Sequence, residues 1–226
     1  MINFADHSIN CPDSTSQFLP SRRVLYTNSG KILFDIAFVL CTAVIVLPVV
    51  LLLAVLVKRD GGSAFFGHTR VGKNGKIFKC WKIRTMIPNA EERLKVFLEE
   101  NPNAKEQWQR EFKLDDDPRV TRIGALLRRT SLDELPQFFN VLRGEMSVVG
   151  PRPVTQCEIT HYGKRSAAIL ALRPGVTGTW QVSGRNEISY KDRVNIDERY
   201  VHTYSFLGDL FVIFKTIGSV LFRTGK

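Results

Sequence analysis

Twenty-two consecutive residues without a formal charge, Ile36 to Val57, constrain this chain more than any other feature. A run of that length is long enough to enter a bilayer as a helix. It begins too late, and is too long, to be a cleaved leader, and no small-residue cleavage site follows it. Pro48 lies inside it. Counting from Ile32, a break there leaves about 24 Å of helix before it and about 14 Å after it, at 1.5 Å per residue. Neither arm crosses a hydrocarbon core of about 30 Å. Arg22, Arg23 and Lys31 precede the run, and Lys58 and Arg59 follow it. Basic flanks mark the cytoplasmic side, so charge at both ends fits a helix that enters and leaves by one face. A spanning helix with a tolerated proline kink fits the residues equally well. Asp35 stands one turn after Lys31, which predicts a cap or an ion pair between the two at the interface.

The charge is unevenly spread. The 226 residues carry a net charge of +10. Residues 1–57 hold three charges of each sign, so the whole excess lies beyond them. It is densest over 58–84, where Lys58, Arg59, Arg70, Lys73, Lys76, Lys79, Lys82 and Arg84 face Asp60 alone. Such a patch suits nucleic acid, anionic lipid or phosphorylated substrates, and the adjacent apolar run favours lipid. No helix-turn-helix, aromatic-basic ribonucleoprotein signature or zinc finger accompanies it, so no nucleic-acid partner is expected. Cys11, Cys41, Cys80 and Cys157 show neither a C-x-x-C pair nor zinc spacing with the histidines, and read as reduced thiols.

Residues 1–30 are polar and read as a flexible tail. Glycines around Phe65-Phe66 and Ile77-Phe78 predict short strands or turns over 61–86. A helix over 89–113 is divided at Asn101-Pro102, and Asp115-Asp116-Asp117-Pro118 reads as a solvated turn. Short helices follow over Ile123–Arg129 and Leu132–Leu142. Arg173 to Gly178 and Gln181 to Asn186 read as loops. Tyr190–Tyr204 predicts a polar helix, and Phe206–Phe222 an apolar helix with Asp209 and Lys215 in it, suited to lying in a membrane interface.

The chemistry concentrates in Ser131-Leu132-Asp133-Glu134-Leu135-Pro136, with Gly150-Pro151-Arg152-Pro153 not far behind. Two adjacent carboxylates sit among Arg119, Arg122, Arg128, Arg129, Arg143 and Arg152. Guanidinium groups match phosphate oxygens bidentately. A carboxylate in their midst is an ordinary ion-pair partner, a nucleophile aimed at phosphorus, or a metal ligand. Ser131 and Glu134 also have the spacing of a capping box, which predicts a helix start with Ser131 as its N-cap.

In order along the chain, these pieces resemble the bacterial sugar transferase family of monotopic phosphoglycosyl transferases. The matching residues are Lys31-x-x-x-Asp35, the apolar run with Pro48, Lys82-Ile83-Arg84-Thr85-Met86, Asp117-Pro118-Arg119, Arg128-Arg129-Thr130-Ser131-Leu132-Asp133-Glu134-Leu135-Pro136-Gln137, Gly150-Pro151-Arg152-Pro153, Arg173-Pro174-Gly175-x-Thr177-Gly178 and Gly184-Arg185-Asn186. The resemblance runs from about Lys31 to the C-terminus and is closest to exopolysaccharide galactosyl-phosphate transferases. The family's Ser-Pro break is Leu47-Pro48 here, so the serine is missing.

The resemblance implies a mainly helical α+β fold with three segments: a tail over 1–30, a re-entrant membrane helix over 31–58 broken at Pro48, and a cytosolic transferase domain over 59–226 with interfacial amphipathic helices and short strands. It implies transfer of a sugar-1-phosphate from a UDP-sugar to undecaprenyl phosphate, with release of UMP, as the first step of exopolysaccharide synthesis. Asp133 matches the nucleophile, and Glu134 the residue that holds Mg2+. Arg128, Arg152 and Arg185 match phosphate-binding positions, and Lys82 and Arg84 join them as candidates. The expected setting is the cytoplasmic face of the bacterial inner membrane, against anionic lipid, with a homo-oligomer allowed. Galactose is the expected sugar, with glucose or an N-acetylated sugar as alternatives. A non-catalytic basic protein anchored in the membrane would explain the charge and the apolar run, but not the Asp-Glu pair or the arginine-glycine loops.

Overall fold

The computed structural model describes residues 26–111, 114–183 and 189–221. After one π turn at Tyr26–Gly30 comes a 28-residue helix, α1 (Lys31–Lys58). Strands β1 (Phe65–Val71) and β2 (Ile77–Ile83) pair in a two-stranded sheet. Helices α2 (Ala90–Glu100), α3 (Pro102–Glu111) and α4 (Arg122–Thr130) follow. A 3-10 turn at Leu132–Glu134 leads to α5 (Gln137–Leu142) and β3 (Ser147–Val149). The short helices α6 (Gln156–Ile159) and α7 (Ser166–Leu170) precede β4 (Gly175–Thr177). Two longer helices, α8 (Tyr190–Thr203) and α9 (Phe206–Leu221), close the chain. Strands β3 and β4 pair in parallel, Ser147 opposite Gly175 and Val149 opposite Thr177. The fold is thus a mainly helical α+β one, with a single helix among the described residues long and apolar enough to cross a membrane.

Two compact units interleave along the sequence. The first gathers the residues up to Cys41, Thr69–Cys80 and Phe138–Ile217; the second gathers Thr42–His68, Trp81–Gln137 and the residues from Gly218 on.

The first unit holds the start of α1 with charge. Lys31, Asp35 and Val39 are buried at every fourth position, while Ile32, Leu33, Ile36 and Leu40 stay bare. The Lys31 ammonium lies 2.5 Å from Asp209 Oδ2, which also accepts from the Tyr26 hydroxyl at 2.5 Å. The Tyr200 hydroxyl lies 2.7 Å from Asp209 Oδ1 and 3.1 Å from the Val149 carbonyl, with one proton between them. Asp35 accepts from Ser147 Oγ and from the Val148 N–H, each at 3.0 Å. The ion pair expected between Lys31 and Asp35 is therefore made instead by Lys31 and Asp209, and Asp35 ties α1 to β3. Both groups are buried rather than interfacial, because this face of α1 packs on the core of Phe78, Val141, Met146, Val149, Tyr200 and Val212.

In α9 the buried side carries Asp209, Val212 and Ile213, and the other side exposes Phe206, Leu207, Phe211, Phe214 and Ile217. A helix apolar on both sides, with one side bare, fits an interfacial position. The expected loop at Arg173–Gly178 contains β4. Its three residues, hemmed by Pro174 and Gly178, are too few to show alternation in sequence.

The second unit takes over α1 at Thr42. Pro48 removes one amide donor, yet α1 continues through it to Lys58, so the expected break does not interrupt the helix. Val44, Ile45, Leu47, Leu51, Leu52 and Val55 are exposed, and only the last turn packs, with Val57 against Ile83, Leu127, Leu53 and Leu132. The expected helix over 89–113 is α2 and α3, with Pro102 at the first position of the latter, where its missing N–H costs nothing. Residues 112 and 113 lie outside the described residues. The Asp-rich turn is not merely solvated: Asp117 accepts two bonds from the Arg119 guanidinium, at 2.8 and 2.6 Å, and Arg119 stacks 5.0 Å from the Trp108 ring.

Candidate active site

Strand β2 and helix α4 bring the candidate residues of the second unit together. Lys82 and Arg84 flank buried Ile83 at the end of β2, and Thr85 follows. Helix α4 starts at Thr121, whose side chain accepts from the Gly124 N–H at 2.9 Å, and the Thr121 N–H donates to the Thr85 carbonyl at 3.0 Å. A side chain at position 124 would drive its Cβ far inside contact distance of that same carbonyl. Glycine is required for this approach, and the approach sets where the far end of α4 falls. There Arg128 donates from Nε to Thr85 Oγ1 at 2.9 Å, and Leu127 is buried beside Ile83 and Val57.

The capping box expected at Ser131 does not form. Ser131 closes α4 in the left-handed region, φ 55°, with its N–H turned back to the Arg128 carbonyl, and its side chain makes no cap bond. Leu132–Glu134 is a 3-10 turn, and the helix expected from Leu132 starts only at Gln137, after Pro136. Leu132 packs into the apolar cluster of Ile83 and Leu127, which fixes the turn and turns Asp133 inward.

Asp133 is 7% exposed. Lys82 Nζ lies 2.6 Å from Glu134 Oε1 and 3.7 Å from Asp133 Oδ2, so one ammonium serves both carboxylates. Burial lifts the Asp133 carboxyl to about 6; Lys82 and Arg128 oppose the rise and Glu134 adds to it. The result is a carboxylate held out of water, against one cation, with its ionisation close to neutral pH. Groups perturbed in this way cluster at functional sites.

Arg84 turns elsewhere. Its guanidinium grips both Asp60 oxygens, at 2.8 and 2.5 Å, and donates to the carbonyls of Ser63, Met86 and Val57. That partner set uses its donors on the fold, and it holds the Asp60 carboxyl below its usual range. Arg84 therefore clamps the foot of α1 to the end of β2, where sequence had grouped it with phosphate binders. Arg152 belongs to the first unit, half-buried, with its guanidinium carbon 5.1 Å from the Trp180 ring. Glu145, seven residues before it, receives Asn140 and Arg143. Arg185 lies outside the described residues.

Sequence reasoning missed Thr85, the hydroxyl that orients Arg128, although it stands inside the Lys82–Met86 motif. It also missed Trp180 and Arg193, whose proximity to Arg152 only the fold creates. Among the described residues no group of three or more His, Cys, Asp or Glu could hold a metal by itself. Mg2+ characteristically takes one or two carboxylates and completes its shell with water and substrate phosphates. Glu134, with one oxygen on Lys82 and Asp133 beside it, fits that lean donor set.

A model of the family described as bacterial sugar transferase matches residues 26–223. The chain is 49% identical over 194 residues to the exopolysaccharide production protein ExoY of Sinorhizobium fredii, covering 85% of this chain and 86% of that protein. It is 48% identical over 192 residues to a UDP-galactose-lipid carrier transferase of Erwinia amylovora, covering 85% of this chain and 40% of that protein. To an undecaprenyl-phosphate galactose phosphotransferase of Salmonella typhimurium it is 46% identical, again over 85% of this chain and 40% of the relative. The chain thus spans about two fifths of those two relatives and most of the first.

Proposed function

Because the chain belongs to the bacterial sugar transferase family, we propose that it moves a sugar-1-phosphate from a UDP-sugar to undecaprenyl phosphate, by way of a covalent intermediate on Asp133. The observation that carries this reading is the buried Asp133, 3.7 Å from Lys82, with its ionisation near neutral pH.

The chemistry follows from charge. Donor and acceptor are both anions, and holding them together in one step is the main electrostatic cost. Two displacements separate them. In the first, an Asp133 carboxylate oxygen attacks the phosphorus that bears the sugar. The bond from that phosphorus to the bridging oxygen breaks, and UMP leaves with the electron pair. In the second, an oxygen of the lipid phosphate attacks the same phosphorus, and the bond to Asp133 breaks, restoring the carboxylate. Lys82 lowers the proton affinity of Asp133, keeping a reactive fraction ionised, and holds Glu134 beside it. Arg128 adds positive charge where phosphate oxygens gain negative charge. Glu134 is the residue that would hold Mg2+, which would supply neutralising charge to the donor's diphosphate. Arg152 and Arg185 are the remaining phosphate-binding candidates.

Galactose is the proposed sugar, because two of the relatives are named for galactose. The test is incubation of detergent-solubilised protein with undecaprenyl phosphate and UDP-galactose, UDP-glucose or an N-acetylated UDP-sugar, with UMP and lipid-linked sugar as readouts. Coupled appearance of both products, fastest from UDP-galactose, is expected. Binding of lipid without UMP from any donor would leave only a basic membrane-binding protein.

The same reading makes α1 a re-entrant helix, bent at Pro48 with its helical run unbroken, whose two ends face the cytoplasm. Both ends are held by residues that follow α1 in sequence: Ser147, Val148 and Asp209 at its start, Ile83 and Leu127 at its end. Since no second described helix is long and apolar enough to cross, a spanning α1 would have to let go of the contacts at its start or of those at its end. Cysteines placed at the exposed Ser29 and Ser63 should both label from the cytoplasmic side of inverted vesicles. Labelling of position 29 from the periplasmic side overturns the topology.

A further inference from the structure

Every buried side-chain nitrogen or oxygen without a hydrogen-bond partner among the described residues falls at one place in the first unit. These atoms are Arg152 Nε, Arg193 Nε, Trp180 Nε1, Thr179 Oγ1 and Asp197 Oδ1. Buried donors without partners are costly, and four of the five can donate. The place has a frame. The guanidinium carbons of Arg152 and Arg193 lie 5.1 and 4.5 Å from the centre of the Trp180 indole, which is itself 5% exposed. Stacking on an aromatic face holds a guanidinium without using its N–H groups. Both arginines are half-buried as residues, with the Nε of each fully buried.

The charge count favours an anion. Asp197, fully buried, accepts the backbone N–H of Arg152 and lies 3.4 Å from the Tyr162 hydroxyl. Burial lifts its carboxyl to about 7 against the pull of these bonds and of the two arginines, so it is only partly charged at neutral pH. Glu158, the other carboxylate near Arg152, is paired with Arg70 at 2.9 Å. Two guanidinium charges are thus matched by one fractional charge, beside four idle donors.

We propose that Arg193, held with Arg152 on the Trp180 ring, is a second phosphate-binding position of this protein, with Trp180 as the residue that positions both forks. The inference deepens the transferase reading and rests on it for its ligand, a phosphate ester. Two sources share that chemistry: the diphosphate of the UDP-sugar and the phosphate of the polyprenyl carrier.

Binding is measured by calorimetry on the full chain in detergent, carrying Asp133→Asn so that no turnover intervenes. The probes are UDP-galactose, a short-chain polyprenyl phosphate and inorganic pyrophosphate. Arg193→Gln should weaken at least one probe by about tenfold or more, the scale of a lost charge-assisted bond. Weakening of UDP-galactose alone assigns the position to the donor, and of polyprenyl phosphate alone to the carrier. If the Arg193-bearing protein binds pyrophosphate but neither substrate, and Arg193→Gln abolishes that binding, the anion site stands while the transferase reading fails. Should Arg193→Gln not fold, Arg193→Lys carries the test: it keeps the charge, loses the planar fork, and should weaken the same probe to a smaller degree. Trp180→Leu, with both arginines intact, should weaken that probe too. Unchanged affinity for all three probes in the Arg193 variant, or no binding of any probe before the substitution, overturns the proposal.

Discussion

Asp133→Asn is expected to lower UMP release by a factor on the order of 10⁴ or more, the scale of losing a nucleophile, while the thermal midpoint holds or rises. The two halves of this outcome have one cause. Asp133 is buried, and its carboxyl is lifted to about 6. Its folded-state value lies above its ordinary value of 3.8, so the fold prefers the protonated group. Stability from this group is therefore complete below about pH 4 and declines as pH rises through about 6. At neutral pH the fold carries an ionised carboxylate at a cost, relieved only partially by Lys82. Asparagine keeps the shape and removes the charge. An active site that is strained for function gives this pattern of gained stability and lost activity. Near-normal UMP release from folded Asp133→Asn removes Asp133 as nucleophile.

The second large effect concerns the root of α1. Asp209 is completely buried and receives Lys31 and Tyr26, with the Tyr200 hydroxyl at 2.7 Å. Asp209→Ala strips the counter-ion from a buried ammonium and takes the acceptor of the half-buried Tyr26 hydroxyl, while Tyr200 keeps the Val149 carbonyl. Breaking a buried pair from one side costs about 3–5 kcal/mol, which for a chain of this size lowers the thermal midpoint by roughly 6–20 °C. Removing both partners, as in Lys31→Met with Asp209→Leu, should recover much of the loss, because no charge is then left alone. A shift under about 2 °C in Asp209→Ala would mean that water reaches the pair.

The features legible in sequence were those with a long or chemically distinctive signal. The charge-free run marks α1 because no other packing problem calls for so many apolar residues in a row. The Asp133-Glu134 pair stands out because carboxylates are unexpected among arginines. Helix boundaries were legible where proline punctuated them, as at Pro102. The signals that misled were local ones with two outcomes. Ser131 and Glu134 have capping-box spacing, but Ser131 is already occupied as the left-handed end of α4, whose Leu127 is drawn into the apolar cluster. Lys31 and Asp35 share a helix face, yet that face meets a core in which each has another partner. Arg84 resembled its basic neighbours until Asp60, 24 residues away in sequence, came within 2.5 Å. The Arg152–Trp180–Arg193 stack joins three segments, and no periodicity in the chain announces it.

The central claim, a sugar-phosphate carried on Asp133, is tested most directly by intact-mass spectrometry. The full chain in detergent is mixed with UDP-galactose and Mg2+, with no lipid acceptor, over a range of pH, and quenched. The account predicts a mass increase of one hexose phosphate less one water, with UMP released in equal amount. The adduct should localise to Asp133, be absent from Asp133→Asn, and form faster as pH rises through about 6, where the carboxyl ionises. Addition of undecaprenyl phosphate should discharge it. UMP release only when donor and lipid are both present, with no adduct at any pH, would contradict the account and indicate a single direct displacement.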